Sequence, residues 1–249
     1  MTTETRSIQQ INKGRSRVYR VEGLGDLPSV TTILNVIAKP ALIPWANKEG
    51  RRAVAEYLTP HVGQILTSDL LFEALEKART KPDETKGAAA DVGARAHAAI
   101  EAIIGSVPNA DALVTDDIRP AVDNWRAWRD QSGIAVSLSE RMVYSERFLY
   151  AGSVDAVGMR GDTLVALDWK TSNGLYDEAA LQVAAYANAW GEMTGNLVDE
   201  AWVVRVGKDK PEFEARKVRD LNHSFEAFRA ALTLYRMTHG FQQYSDGKE

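Results

Sequence analysis

The stretch ALDWKTSNG, residues 166–174, carries an aspartate and a lysine two positions apart at the end of a run whose neighbours read as buried strand. Upstream, AGSVDAVGMR is also β-rich, and Gly161 and Asp162 between the two runs are turn residues. A two-residue hairpin loop there pairs Arg160 with Thr163. The same register sets Asp155 opposite Asp168, with Cβ atoms about 4.5–5.5 Å apart, where like charges destabilise unless something positive lies between them. Lys170 shares their face, but one ammonium would have to compensate two partly buried carboxylates while losing its own solvation. A divalent cation suits the pair better. Hard carboxylate oxygens favour Mg²⁺ or Mn²⁺, and Mg²⁺ keeps further positions for water and a phosphate oxygen. Lys170 is then free to orient or help deprotonate an attacking water. The chemistry expected of Asp155, Asp168 and Lys170 is metal-dependent phosphodiester hydrolysis. Trp169 alternates away from both neighbours and is expected on the opposite sheet face, with only its backbone carbonyl able to touch the metal.

An acid-x-Lys triplet by itself says little in a chain with 34 acidic residues. Another, Glu84-Thr85-Lys86, sits in a polar stretch with no partner strand. The copy at 168–170 differs by its context: an aspartate in pairing register, apolar strands around both, and a helix directly afterwards.

The elements that must hold these residues are legible from periodicity. LPSVTTIL opens the first regular region, and a helix starts near Pro44, with Trp45, Val54 and Leu58 among its buried positions. A further helix is expected over 66–79, broken by the Pro, Gly and charge of TKPDETKG, and another over 88–104. DDIRPAVDNWRAWRDQSG ends a fourth at Gly133, and everything before that point reads as helical. The period then changes to strand in AVSLSERMVYS, AGSVDAVGMR and TLVALDWKT. DEAALQVAAYANAWGEM is helix, EAWVVRVG and FEARKV are strands, and SFEAFRAALTLYRMTH is an amphipathic helix. The expected fold is α/β: one domain over 1–249, with a mixed central sheet flanked by helices at 87–249 and a helical N-terminal region at 1–86.

Composition narrows the function classes. With 45% hydrophobic and 26% charged residues in 249 positions, the chain can bury one large core. Zero cysteines exclude disulfides, thiolate zinc sites, iron–sulfur clusters and a cysteine nucleophile. The N-terminal stretch lacks an apolar run and mixes acid with base, and no segment approaches the roughly 20 apolar residues of a membrane span, so a cytoplasmic protein is expected. The net charge of −4 is unlike that of a protein that coats nucleic acid, yet residues 1–60 hold nine basic against five acidic side chains. That surplus of four permits a basic N-terminal face. Lys48, Arg51 and Arg52 belong to it, either as a solvated helix face or as contacts to DNA phosphate.

AGSVDAV, ALDWKTS and LQVAAYANAW resemble the G-x-x-D, D-x-K and Q-x-x-x-Y motifs of the RecB-like branch of the PD-(D/E)XK nuclease superfamily, and GARAHAAIE resembles that branch's helical histidine motif. The resemblance covers about 88–206, with four motifs in order. It implies a restriction-endonuclease-like core in which Asp155 and Asp168 bind Mg²⁺ or Mn²⁺, Lys170 is catalytic and His97 is a further ligand. It also implies that Gln182 and Tyr186 support the substrate strand or the lysine, and that Glu140 is the acid often found before this hairpin, with Glu146 close by. The chain lacks the cysteine ligands of the iron–sulfur members and carries no helicase motor. It looks more like stand-alone exonucleases carried by phages, or the related mitochondrial genome-maintenance type. The partner implied is a DNA single strand or duplex end, in the company of recombination or replication proteins.

Plainer roles stand beside these. His97 and Glu101 are four apart on one helical face and could form a surface pair. Tyr186 could simply pack on an alanine-rich helix. Trp45, Trp125, Trp128, Trp190 and Trp202 suit core packing better than base stacking. A structure-specific endonuclease with the same centre, and a non-catalytic binding module that keeps the fold, are the competing functions.

Overall fold

The computed structural model describes residues 6–13, 16–208 and 210–240. It divides into two compact units, residues 1–37 with 95–249, and residues 38–94.

The larger unit begins with strands, where helix was expected. β1 (Ile8–Lys13), β2 (Ser16–Val21) and β3 (Gly25–Pro28) form an antiparallel sheet. The period of two in S-R-V-Y-R-V decides this: Tyr19 and Val21 are buried, while Arg20 between them is exposed and pairs across the strands with Asp26 at 2.7 Å. Gly23 and Gly25, at φ +76° and +83°, make the turn between β2 and β3. Ser29 then caps α1 (Val30–Leu34), its Oγ accepting from Thr32 N at 3.0 Å.

In the smaller unit, α2 (Leu42–Leu58) buries Gly50 and Ala53, with Trp45, Val54 and Leu58 only half-buried. α3 (Ser68–Ile104) runs unbroken through the stretch expected to end a helix at residue 79. Pro82 removes one hydrogen bond at a cost of about 3 kcal/mol. The Ala-, Glu- and Lys-rich residues on either side are strong helix formers and carry the helix past it.

Residues 95–104 of α3 return to the larger unit. α4 (Arg119–Ser132) follows and ends at Gly133, φ +66°. The main sheet has the order β4 (Ala135–Ser145), β5 (Tyr150–Arg160), β6 (Thr163–Lys170), β7 (Glu200–Val206), β8 (Phe213–Lys217). All neighbours are antiparallel except β6 and β7, which α5 (Asp177–Thr194) joins as a crossover. α6 (Leu221–His239) packs on α5. The sheet is flanked on both faces. Trp169 packs edge-on against Trp125 and Trp128 of α4, at ring distances of 6.3 and 5.0 Å, while Lys170 reaches α5 on the other side. The architecture is mixed α/β, as the sequence led us to expect, with a small antiparallel sheet added. Among the described residues no helix is long and apolar enough to cross a membrane.

Candidate metal and phosphodiester site

Two hairpins build a row of acids across three strands. The β5–β6 turn pairs Arg160 with Thr163, and the register runs inward to Ala156–Leu167. The β4–β5 turn pairs Ser145 with Tyr150, and its register runs through Met142–Ser153 and Arg141–Val154 to Ser139–Ala156. Asp155 lies five residues from each turn, Glu140 five before Ser145, and Asp168 five after Thr163. Glu140, Asp155 and Asp168 therefore fall side by side on β4, β5 and β6.

Both ladders are interrupted there. Glu140 has φ +46°, a left-handed conformation that costs a non-glycine residue roughly 1–2 kcal/mol. On the other side pairing stops at Ala156–Leu167 although both strands continue. The backbone N–H of Trp169 turns instead to the Asp155 carboxylate, Oδ2, at 2.7 Å. The main chain is thus opened where the charges converge, and a side chain takes the acceptor role of the missing rung.

Around the row stand a histidine, a lysine and a hydrogen-bonded pair from α5. His97 Nδ1 on α3 lies 3.7 Å from Asp155 Oδ2 and 3.8 Å from Glu140 Oε1. These distances are too long for hydrogen bonds. They fall between the separations of about 3 and 4.2 Å expected for neighbouring and opposed ligands of an octahedral ion with bonds near 2.1 Å. One ligand atom from each of His97, Glu140 and Asp155 lies within 4.8 Å of the others. Ser153 Oγ, on the face of Asp155, donates to Glu140 Oε2 at 3.0 Å. Asp168 is fully buried, and neither of its oxygens receives a well-aligned hydrogen bond, although Lys170 Nζ is 2.7 Å from Oδ2. Lys170 Nζ donates to Gln182 Oε1 at 3.2 Å, and Gln182 Nε2 donates to the Tyr186 hydroxyl at 3.0 Å. The Tyr186 ring rests on Gly152: a Cβ there would lie 2.4 Å from Tyr186 Cε1. This contact explains the glycine three residues before Asp155.

The electrostatics follow from burial against charge. Burial, with the charges of Asp168 and Glu140, pushes the Asp155 carboxyl up to about 7, against the pull of His97 and Lys170. Burial would lower His97, but Asp155, Glu140 and Asp168 outweigh it and hold the imidazole above its ordinary range. Burial would likewise lower Lys170, yet Asp168 and Asp155 raise it, so the ammonium keeps its proton at neutral pH. Burial works against Glu140 ionising, but the neighbouring His97, the hydrogen bond from Ser153 and the charge of Arg17 hold its carboxyl below the ordinary value. Burial, reinforced by Asp168 and Asp155, keeps the Tyr186 phenol protonated.

The donor set fits a hard divalent cation. Three carboxylates converge, one of them buried with an unpartnered oxygen, and an imidazole nitrogen borders them. The nitrogen favours Mn²⁺ over Mg²⁺. One expectation shifts: the cation beside Asp168 in the protein itself is Lys170, while among the described residues His97, Glu140 and Asp155 are the three possible ligands that come together. The Trp169 ring lies on the α4 face, and its N–H is engaged by Asp155.

The other singled-out residues fall elsewhere. Glu146 pairs with Arg6, and it is Glu140 that joins the row. Glu101 does not meet His97; its carboxyl is raised by burial and by the charge of Glu140. Trp125 and Trp128 are core residues, Trp190 packs against the core, and Trp202 Nε1 donates to Glu200 at 3.0 Å. Lys48, Arg51 and Arg52 lie exposed on α2 in the 38–94 unit, where Arg52 pairs with Glu56 at 2.6 Å. The sequence reading missed Ser153, although its spacing of two from Asp155 puts it on the same face.

No family model matches the chain, and no curated protein matches it. Among solved structures, the chain is similar to that of the protein SSO0001, at 12% identity and a TM-score of 0.28, over 50% of this chain and 64% of that one. The chain thus spans less than two thirds of that protein's length, and a likeness of this size carries no argument about fold or function.

Proposed function

We propose that the protein is a metal-dependent deoxyribonuclease acting as an exonuclease in DNA recombination, repair or replication. The observation that supports this most is the row of Glu140, Asp155 and Asp168 on adjacent strands, bordered by His97 and closed by Lys170. His97, Glu140, Asp155 and the unpartnered Asp168 oxygen would hold Mg²⁺ or Mn²⁺, which supplies Lewis-acid stabilisation of charge on a phosphate and a water of lowered pKa.

The protein's own groups supply the rest. Lys170 keeps its proton beside Asp168, so in the metal-free protein it acts as a cation and hydrogen-bond donor rather than as a base. Gln182 and Tyr186 fix the direction of its Nζ. A phosphate oxygen or the attacking water placed next to Nζ would receive that donated hydrogen bond. Water oxygen bonds to phosphorus and gives up a proton to solvent, the bond to the leaving sugar oxygen breaks, and the leaving oxygen takes up a proton from solvent. The motif resemblance is what favours attack at a strand end.

Labelled linear DNA should be degraded with Mn²⁺ or Mg²⁺ and spared in EDTA, and Lys170→Ala should lose at least about 100-fold in rate. Closed circular DNA should stay intact; cutting of the circle would make the same centre an endonuclease. A folded Lys170→Ala protein with full activity would remove the lysine from the chemistry, and a wild-type protein that cleaves no DNA with any divalent cation would overturn the reading.

A further inference from the structure

We propose that Arg17, supplied by the N-terminal sheet, is a substrate-phosphate-binding residue of this site. The proposal rests on the nuclease reading and adds to it a residue outside the main sheet.

The backbone of Arg17 is tied to the strand that carries Asp155. Its carbonyl accepts from Ser29 N at 3.3 Å and from Thr32 Oγ1 at 3.2 Å. Ser29 in turn forms a parallel bridge with Ala151 of β5, four residues before Asp155. Two positions along β2, Tyr19 points into the core with its hydroxyl directed at Gln10 Oε1, 3.3 Å away. Arg17 lies on the same face of β2 by alternation, but outside the core, with an exposed side chain. Its guanidinium sits against the Tyr19 phenol and close enough to Glu140 to help hold that carboxyl ionised.

What sets Arg17 apart is what it lacks. Other arginines of the larger unit are committed: Arg6 to Glu146, Arg20 to Asp26, Arg95 to Asp117 and Arg160 to Glu200. Arg17 makes no ion pair among the described residues, although it lies close enough to Glu140 for its charge to be felt there. An approaching DNA strand brings more negative charge to that rim, and Lys170 is already engaged by Asp168. A planar guanidinium that has no carboxylate partner and lies near Glu140 offers the fork geometry that matches two phosphate oxygens. It would neutralise one phosphate of the bound strand without withdrawing a ligand from the cation.

The test measures binding of a fluorescein-labelled single-stranded oligonucleotide in Ca²⁺ by anisotropy, over a series of salt concentrations, for wild type, Arg17→Ala and Arg17→Lys. In Arg17→Ala the slope of log K against log salt should become shallower by about 0.7, one released counterion of a single strand. Arg17→Lys should keep the slope, because it keeps the charge. With Mn²⁺, KM for cleavage should rise at least about tenfold in Arg17→Ala while Mn²⁺ affinity is unchanged or tighter. An unaltered slope and KM in Arg17→Ala would overturn the proposal while leaving an active wild type as a nuclease. Weakened Mn²⁺ binding in that variant would make Arg17 a structural residue and also overturn it. A wild type that neither binds nor cleaves DNA would overturn both readings.

Discussion

Replacing Asp155 with asparagine should stabilise the metal-free protein while abolishing its response to metal. The Asp155 carboxyl titrates near 7 in the fold against an ordinary value of 3.8. The sign follows from linkage: a carboxyl whose folded pKa is raised binds more protons folded than unfolded between these two values, so stability falls as pH climbs from about 4 to about 7. Three pK units correspond to a penalty on the order of 4 kcal/mol above pH 7. His97 contributes in the same direction, because its raised folded pKa gives stability below its ordinary value that is lost as pH rises through the folded one. Asparagine removes the carboxylate penalty and can still accept the Trp169 N–H, but it forfeits the attraction between Asp155 and His97. A net gain of about 2 kcal/mol remains, or roughly 4–8 °C in Tm for a chain of this size. Thermal unfolding in EDTA at pH 5 and pH 8 checks it. The gain should be large at pH 8 and clearly smaller at pH 5, where the folded carboxyl is already protonated. Mn²⁺ should raise the Tm of wild type and leave Asp155→Asn unmoved. A lower Tm for the variant in EDTA at pH 8, or a gain equal at both pH values, would refute the opposed-carboxylate reasoning.

Two further substitutions probe the same geometry. Glu140→Gly relieves the left-handed φ of +46°, worth about 1 kcal/mol, but gives up a carboxylate that the fold favours in its ionised form, so Tm in EDTA should shift by no more than a few degrees, while calorimetry shows weakened Mn²⁺ binding. Gly152→Ala places a methyl 2.4 Å from the Tyr186 ring, so the protein should lose about 1–3 kcal/mol of stability, and the displaced ring should release Gln182 and with it Lys170. Cleavage should fall at least tenfold in Gly152→Ala with Mn²⁺ affinity kept, and unchanged kinetics would show that the Tyr186–Gln182 pair does not position the lysine.

Much of the site was readable because its determinants are local. Gly161-Asp162 fixes a two-residue turn, and counting back from it aligns Asp155 with Asp168. Counting from the Ser145–Tyr150 turn would have aligned Glu140 in the same way, had its four-residue loop been identified. Gln182 and Tyr186 were singled out by the resemblance to a Q-x-x-x-Y motif, and their spacing of four puts them on one helical face. What the sequence did not reveal depends on backbone departures and distant partners. The left-handed Glu140 and the broken rung at Trp169 are responses to charges from three strands, not to any local signal. The first sheet was missed for a different reason: its alternation of apolar and charged residues is present in R-V-Y-R-V, but it is short and flanked by polar residues. The helix through Pro82 shows the reverse error, a breaker overruled by strong helix formers on both sides.

The most direct measurement is anomalous diffraction at the manganese edge from crystals grown with Mn²⁺. The account predicts one strong peak bounded by the carboxylates of Glu140, Asp155 and Asp168 and by His97 Nδ1, at about 2.1–2.3 Å from its ligands. Absence of a peak there with one elsewhere, or an undisturbed Asp168–Lys170 pair with no ion beside it, would contradict the central claim that this row of acids is a metal centre.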